Sequence, residues 1–232
     1  MQRRTVSLVC SARPPDRSQP DCTRNRTDLG SHMRILILLC ALLFSCTPRA
    51  AAVLQDGDII FHTSRSAQSM AIQRATGSRY SHMGMILLRE GKPVVFEAVQ
   101  PVKYTPLQRW IERGKDRHYV VKRLKNASQV LNPDAVKRLK TAAQAFIGRP
   151  YDLAFEWSDQ KLYCSEIVWK LFDRQLGIQL GELQKVRDFD LSDPGVKAKM
   201  KERYGSRVPL DMEAISPRAI FESAHLKTLK QR

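Results

Sequence analysis

A cysteine in the segment 162–172, "LYCSEIVWKLF", occupies the position of a candidate nucleophile. Apolar residues recur at helical spacing after it, which predicts an amphipathic helix from about Tyr163 to Leu176 with Cys164 in its first turn. Unpaired backbone N–H groups and the positive end of the helix dipole favour a thiolate there. An inert thiol that belongs to the apolar face of the helix fits the same position, and position alone leaves both readings open.

A nucleophilic thiol needs a base, and His82 is the histidine with the best candidate partner. His82 begins an apolar stretch at 82–90, and a second one at 93–99 contains Glu97. The Glu-Gly-Lys turn between them predicts a β-hairpin whose facing residues have numbers that add up to about 181. Glu97 then reaches His82 and orients its imidazole, as the acid of a catalytic triad does. The alternatives are an ordinary hydrogen-bonded histidine and a solvated glutamate.

The other histidines after residue 52 have no comparable acidic partner in the predicted strands; they are His62, His118 and His225. The sequence has no HExxH motif, and residues 53–232 contain no second cysteine. Zinc sites depend on such clusters of nitrogen and sulfur ligands, so no metal site is predicted. No cofactor is expected either.

The N-terminal part of the sequence is predicted to lie outside the folded domain. Residues 1–32 are polar and show no apolar periodicity, so we interpret them as an extension upstream of the true start at Met33. Residues 33–52 have the layout of a secretory signal peptide, with cleavage expected after Ala52. A lipoprotein-type signal with lipidation at Cys46 is the minority alternative. The protein is therefore expected to be periplasmic or secreted.

The remaining residues, 53–232, are expected to form a single domain. They carry 31 Lys and Arg against 20 Asp and Glu, a net charge of +11. Such a surface is either simply solvated or attracted to an anionic polymer or membrane. The predicted export signal disfavours nucleic acid as a partner. Cys164 is left without a disulfide partner, which permits both a reactive and a buried thiol.

The apolar patterns and the helix caps predict an α+β fold in which strands precede most of the helices. Strands are expected at 57–62, 82–90, 93–99 and 118–124. Helices are expected at 66–77, 105–114, 132–148 and about 163–176, with two more that begin at Asp193 and Ser216. Their candidate N-caps are Ser66, Thr105, Asn132, Asp193 and Ser216.

Eight motifs occur in the order found in one known family. They are "LQDGDIIF", "YSHMGM", "VFEAV", "VKYTPL", "GRPYD", "YCSEIVWKLF", "KERYG" and "ISPRAIF". Together they cover essentially all of 54–224, and the sequence resembles the YiiX-like branch of the permuted NlpC/p60 cysteine peptidases and amidases. The resemblance implies a papain-like fold in which an antiparallel sheet packs against helices and the cysteine begins a helix.

The resemblance also implies roles for individual residues. Cys164 would be the nucleophile, His82 the general base and Glu97 the orienting group. Four further motif residues are candidate substrate contacts, and the alternative for Asp58 is a structural role at the start of a strand. These four are Asp58, Tyr80, Tyr151 and Tyr163.

The function expected from this resemblance is amide hydrolysis through an acyl-enzyme on Cys164. Cell-wall peptides are the substrates of the best-known members, so a peptidoglycan peptide or another amide is the expected partner. Two alternatives stay open: a lipid-directed acyltransferase or esterase that uses the same triad, and a non-catalytic cell-wall binding module. The sequence leaves the oligomeric state open.

Overall fold

The computed structural model describes residues 53–232. The predicted extension, the predicted signal peptide and Cys46 lie outside the described residues. Six of the described strands form one antiparallel sheet in the order β4-β3-β2-β1-β5-β8. They are β1 (Asp58–His62), β2 (His82–Arg89), β3 (Lys92–Glu97), β4 (Lys103–Pro106), β5 (Val120–Leu124) and β8 (Leu226–Gln231). Two short strands, β6 (Gln184–Lys185) and β7 (Glu213–Ala214), pair separately.

The hairpin of β2 and β3 has the predicted register. Met85 faces Phe96 and Ile86 faces Val95, so the numbers of facing residues add up to 181. Because side chains alternate along a strand, Met83 and Met85 lie on one face of the sheet, and His82 lies on the other face. The hairpin is therefore a confirmed prediction.

The helices are α1 (Ala67–Thr76), α2 (Leu107–Arg113), α3 (Ala127–Val130), α4 (Pro133–Phe146), α5 (Cys164–Leu176), α6 (Pro194–Tyr204) and α7 (Pro217–Phe221). Two 3₁₀ turns span Lys115–Arg117 and Val186–Asp188. The predicted caps are confirmed for α1, α4, α6 and α7, where a side-chain oxygen accepts a hydrogen bond from a backbone N–H of the first turn. No described helix is long and apolar enough to cross a membrane.

The predicted cap of α2 is wrong. Pro106 occupies the N-cap position of this helix, and Thr105 belongs to β4. The Thr105 hydroxyl donates a hydrogen bond to the Glu97 carboxylate at 2.5 Å. A hydrogen bond to an ionised carboxylate is stronger than one between neutral groups, which explains why the hydroxyl turns toward Glu97.

The last strand was not predicted. β8 pairs with β5 at the edge of the sheet, although helices were expected to end the chain. Its sequence, "LKTLKQ", contains two lysines and buries only Leu226 fully, so it lacks the apolar alternation of a central strand. Charged residues are common on edge strands because they prevent pairing with other chains.

Helix α5 packs against the sheet face that carries Met83 and Met85. Its buried residues Ile167, Val168 and Phe172 belong to the same apolar cluster as these methionines. The opposite face is covered by α2, where Trp110 and Ile111 pack on Ile60, Ile86, Val95 and Val121. The sheet is thus buried on both faces, and α5 packs directly against β2.

Candidate active site

Glu97 and His82 are in direct contact. The His82 ring donates through Nε2 to a carboxylate oxygen of Glu97 at 2.7 Å. The two residues lie on the same sheet face because Glu97 falls opposite Gly84 in the hairpin register, two residues after His82. A Cβ at Gly84 would lie 2.5 Å from Val95 Cγ1 and 3.3 Å from Glu97 Cβ. The absence of a side chain at Gly84 therefore leaves the space in which Glu97 approaches His82.

Three further side chains hold the Glu97 carboxylate. Thr105 donates to it at 2.5 Å, the Trp110 indole N–H at 2.9 Å, and Arg113 Nη2 at 2.5 and 2.7 Å to its two oxygens. Glu97 itself is completely buried. A buried carboxylate with this many donors is held in one orientation, which in turn fixes the plane of the His82 ring.

These contacts determine the charge state of the pair. Burial opposes a charge on Glu97, but its hydrogen bonds and charge interactions with His82 and Arg113 lower the pKa of Glu97 to about 2. Burial also opposes a charge on His82, but hydrogen bonds to Cys164 and Glu97 raise the pKa of His82 to about 9. His82 is therefore an imidazolium at neutral pH when it faces a thiolate.

Cys164 is the first residue of α5, as predicted, and is the one cysteine among residues 53–232. Its thiol lies near enough to the His82 ring to raise the pKa of that ring. Because Nε2 of His82 is bound to Glu97, Nδ1 is the ring nitrogen available to the thiol. The backbone N–H of Cys164 is among the first four of the helix, which have no partner within it. The cysteine therefore lies beside the hydrogen-bonded pair of His82 and Glu97.

Tyr151 is close to both His82 and Cys164. Burial, together with the nearby Cys164, raises the pKa of the Tyr151 hydroxyl, so the hydroxyl stays protonated. The side-chain amide of Gln68 donates to the same hydroxyl at 3.3 Å. The predicted substrate residue Tyr151 is therefore brought to the thiol, and Gln68 is a neighbour that the sequence reasoning missed.

His62, for which no role was predicted, lies beside His82. It faces His82 across β1 and β2 and stacks on Trp110 with ring centroids 3.9 Å apart. Burial, followed by the charges of His82 and Arg113, lowers the pKa of His62 to about 2, so this ring is neutral. Its Nδ1 has no hydrogen-bond partner among the described residues.

The other candidate substrate residues have different surroundings. Tyr163 precedes Cys164, and its hydroxyl accepts a hydrogen bond from the Ile215 N–H at 3.0 Å. Tyr80 stacks on Phe221 in the core, at a centroid distance of 4.3 Å. Asp58 is completely buried, and its two oxygens accept from Arg123 at 2.6 and 2.8 Å. Asp58 and Tyr80 thus make contacts within the fold: an ion pair with Arg123 and a stacking contact with Phe221.

Two clefts meet at the site, and they differ in polarity. An apolar cleft begins at Cys164 and Tyr163 and runs between α1 and α6, with most of its walls formed by apolar side chains. These are Ala71, Ile72, Ala75, Phe155, Val186, Phe189, Leu191, Val196, Met200 and Ile215. A second, more polar cleft begins at His82 and is lined by His62, Ser64, Ser66, Ser81, Gln100, Arg113 and Tyr151. Gln68 and Ile72 line both clefts and mark their junction.

The residues that the sequence reasoning missed left only weak signals. Trp110 and Arg113 are three apart on a short helix, so they share one face of it. That spacing indicates a common face of the helix but not the carboxylate that this face meets.

No group of three or more His, Cys, Asp or Glu residues that could hold a metal occurs within 53–232.

A cysteine at a helix start beside a histidine–carboxylate pair on an antiparallel sheet is the arrangement of the papain-like thiol hydrolases. Residues 53–230 match the family described as permuted papain-like amidase enzyme, YaeF/YiiX, C92 family. The chain therefore belongs to this permuted papain-like family, and the predicted α+β, papain-like fold and the family resemblance are confirmed.

Two relatives illustrate the similarity. The YiiX protein of Escherichia coli (strain K12), described as uncharacterized, is 48% identical over 197 residues, which cover 85% of this chain and 96% of that protein. A crystal structure of yiiX from Escherichia coli O157:H7, titled a metalloprotein, has 50% sequence identity and a TM-score of 0.74. It covers 77% of this chain and 97% of the solved one.

Proposed function

We propose that this protein is a cysteine amidase that cleaves an amide with an apolar acyl group through a thioester on Cys164. The observation that carries the proposal is the apolar cleft that begins at Cys164, beside the hydrogen-bonded pair of His82 and Glu97. Membership in an amidase family supports the reaction class. The triad roles remain those predicted from the sequence.

The reaction begins from a Cys164 thiolate and a His82 imidazolium. The thiolate attacks the amide carbonyl carbon, and a tetrahedral oxyanion forms. The C–N bond then breaks as His82 gives its proton to the leaving nitrogen, which departs as a neutral amine and leaves a thioester. Neutral His82 next takes a proton from water, whose oxygen attacks the thioester and releases the acid. Glu97 stays ionised throughout and holds the ring.

Donors for the oxyanion are available beside the thiol. The Cys164 N–H at the start of α5 is one, and the protonated hydroxyl of Tyr151 is the second. The hydrogen bond from Gln68 supports Tyr151 as a positioned donor because it occupies a lone pair of the hydroxyl and leaves its proton free.

The two clefts separate the two halves of the substrate. The acyl group bonds to Cys164, so the apolar cleft receives the acyl chain. The leaving amine is protonated by His82, so the polar cleft receives the amine side. A cell-wall peptide would place polar or charged groups of its acyl side in the apolar cleft. Lys199 and Arg203 are the charged residues of its lining, and elsewhere in the cleft the desolvation of such groups is unfavourable. The geometry therefore favours an N-acylated polar amine over the peptidoglycan peptide expected from the sequence.

Trapping the acyl-enzyme tests this proposal. The protein is mixed with N-acyl p-nitroanilides of increasing chain length, quenched in acid and digested, and the peptide that contains Cys164 is weighed by mass spectrometry. The expected result is a thioester adduct whose rate of formation rises by about fourfold per methylene until the cleft is full, since a buried methylene is worth about 0.8 kcal/mol. A peptidoglycan digest that acylates Cys164 faster than every acyl anilide would overturn the choice of substrate.

The same thioester can be captured by an acceptor other than water. We infer hydrolysis as the principal outcome, and added glycerol or amine acceptors measure the competing acyl transfer by product analysis. Export of the enzyme is part of the proposal and is supported by the signal-like layout of residues 33–52. Cell fractionation with an antibody to the protein tests it.

A further inference from the structure

A basic, partly apolar surface lies on the outer side of α6. It is formed by α6 and the segment that follows it, and we call it the α6 surface. Its groove is lined by Leu191, Lys197, Met200, Lys201, Gly205, Ser206, Val208 and Leu210. Leu210 is 43% exposed although it is a large apolar residue. Exposed apolar side chains that are flanked by lysines are typical of surfaces that meet a membrane or a partner.

The positive charge of the α6 surface is not neutralised by its own acidic residues. The acidic residues of the segment 191–211 pair with basic residues that do not line its groove: Asp193 with Arg74, Glu202 with Lys199, and Asp211 with Arg187. Lys197, Lys201 and the nearby Arg207 form no salt bridge with any described residue and are exposed. Their charges are therefore available to an anionic partner.

The α6 surface is continuous with the apolar cleft of the active site. Leu191 and Met200 line both the outer groove and the cleft that begins at Cys164. These two apolar side chains form the wall that the outer groove and the cleft share. This continuity links the charged surface to the acyl side of the reaction.

We propose that the α6 surface docks on a membrane that contains anionic lipids and that acyl substrates enter the active site from there. Lys197, Lys201 and Arg207 complement the lipid phosphates, while Leu210 and Val208 reach into the acyl boundary. The proposal rests on the proposed function for its acyl substrate, but the docking itself is measured separately. A nucleic acid offers no counterpart for the exposed leucine, which favours a lipid surface.

Vesicle binding of the full chain tests the docking surface. Binding is measured by sedimentation with phosphatidylcholine vesicles and with vesicles that contain 30 mol% phosphatidylglycerol, at low and high salt. A basic residue near an anionic surface strengthens binding by about fivefold, so the double charge reversal K197E/K201E is expected to weaken binding to the anionic vesicles by at least about 25-fold. High salt is expected to remove this difference because it screens the charges.

A matched variant separates a specific surface from net charge. K125E/K137E makes the same change in charge at two exposed lysines outside the α6 surface, and it is expected to keep the wild-type binding within about threefold. Residues 1–52 are present in all three proteins, so their contribution cancels in the comparison. Equal loss in both variants, or no loss in either, overturns the α6 surface as the docking site.

Hydrolysis of a soluble substrate distinguishes the two proposals. Without vesicles, K197E/K201E is expected to cleave N-butanoyl p-nitroanilide at the wild-type rate, since neither lysine lines the cleft at Cys164. Suppose that the wild-type protein cleaves no acyl anilide, and that K197E/K201E alone among the variants loses vesicle binding. The docking surface is then supported, and the acyl-amidase proposal is wrong. If the wild-type protein cleaves acyl anilides and K197E/K201E binds vesicles as the wild type does, the acyl-amidase proposal is supported and the docking surface is wrong.

Discussion

The Glu97 carboxylate lies 2.7 Å from His82 Nε2 and is held at the same time by Thr105, Trp110 and Arg113. This relationship fixes the histidine before any substrate binds, because the carboxylate cannot rotate without losing several hydrogen bonds. It also keeps a negative charge within the apolar interior, where it stabilises the imidazolium.

Glu97→Gln is expected to reduce kcat/KM for an acyl anilide by about 10²- to 10⁴-fold. The neutral amide cannot stabilise the imidazolium. Its NH₂ group also cannot accept the hydrogen bonds that the carboxylate oxygen accepts from the neighbouring donors. Breaking this buried ionic cluster is also expected to cost about 3 kcal/mol in the free energy of unfolding, measured in urea. Glu112→Gln, an exposed change on the same helix as Arg113, is the control and should leave both quantities unchanged. Equal activity of the two variants contradicts the role of Glu97.

The activity is expected to fall as the pH rises through about 9. The pKa of His82 is raised from 6.5 to about 9, so the imidazolium that protonates the leaving group is present below this pH and is lost above it. The stabilisation of the fold by His82 has the same sign: it is complete below about pH 6.5 and disappears as the pH rises through 9. The measurement is the pH profile of kcat/KM, and a flat profile up to pH 10 contradicts the assignment.

Cys164→Ala is expected to abolish turnover, with a loss of about 10³-fold or more, while the thermal unfolding curve keeps its cooperative shape. It should also lower the pKa of His82, because a hydrogen-bonded partner that raises it is gone. NMR titration of labelled histidine measures this shift. His118→Ala, at a half-buried histidine that lines neither cleft, is the control for activity. A Cys164→Ala protein that still hydrolyses acyl anilides would exclude the thioester.

Gly84→Ala is expected to destabilise the fold by about 1–3 kcal/mol, as overpacking does in a tight core. The new Cβ would lie 2.5 Å from Val95 Cγ1 and 2.7 Å from the Phe96 carbonyl oxygen. The expected displacement of β3 moves Glu97 as well, so kcat should fall along with stability. Gly195→Ala, in the exposed first turn of α6, tests whether the loss is specific to the hairpin. Urea unfolding and steady-state kinetics give both numbers.

Ala71→Phe is expected to shorten the acyl chain that the enzyme accepts. Ala71 lines the apolar cleft but not the polar one, so a larger side chain fills the space of the acyl group alone. The ratio of kcat/KM for octanoyl over acetyl p-nitroanilide should fall by about 10-fold or more. Exposed Ala198→Phe is the control on the outer side of α6. An unchanged ratio in Ala71→Phe would remove the cleft as the acyl site.

The sequence was sufficient for features that depend on neighbours along the chain. The β2–β3 register followed from the turn at Glu90 and Gly91 and from the apolar residues on either side of it. The caps Ser66, Asn132 and Asp193 followed from local hydrogen bonding between a side chain and the next turn. The position of Cys164 at a helix start followed from the apolar period after it. In each case the interacting groups lie within a few residues or one tight turn.

Only the tertiary structure decided which distant groups meet. Thr105 satisfies a local cap pattern, yet it bonds to Glu97 because a buried carboxylate offers the stronger hydrogen bond. Trp110 and Arg113 converge on the same carboxylate because α2 packs across the hairpin, and the sequence does not encode that docking in any short pattern. The apolar cleft lies between α1, α5 and α6, which are far apart along the chain. Sequence therefore determined the reactive groups, and long-range packing determined their partners and the space open to substrate.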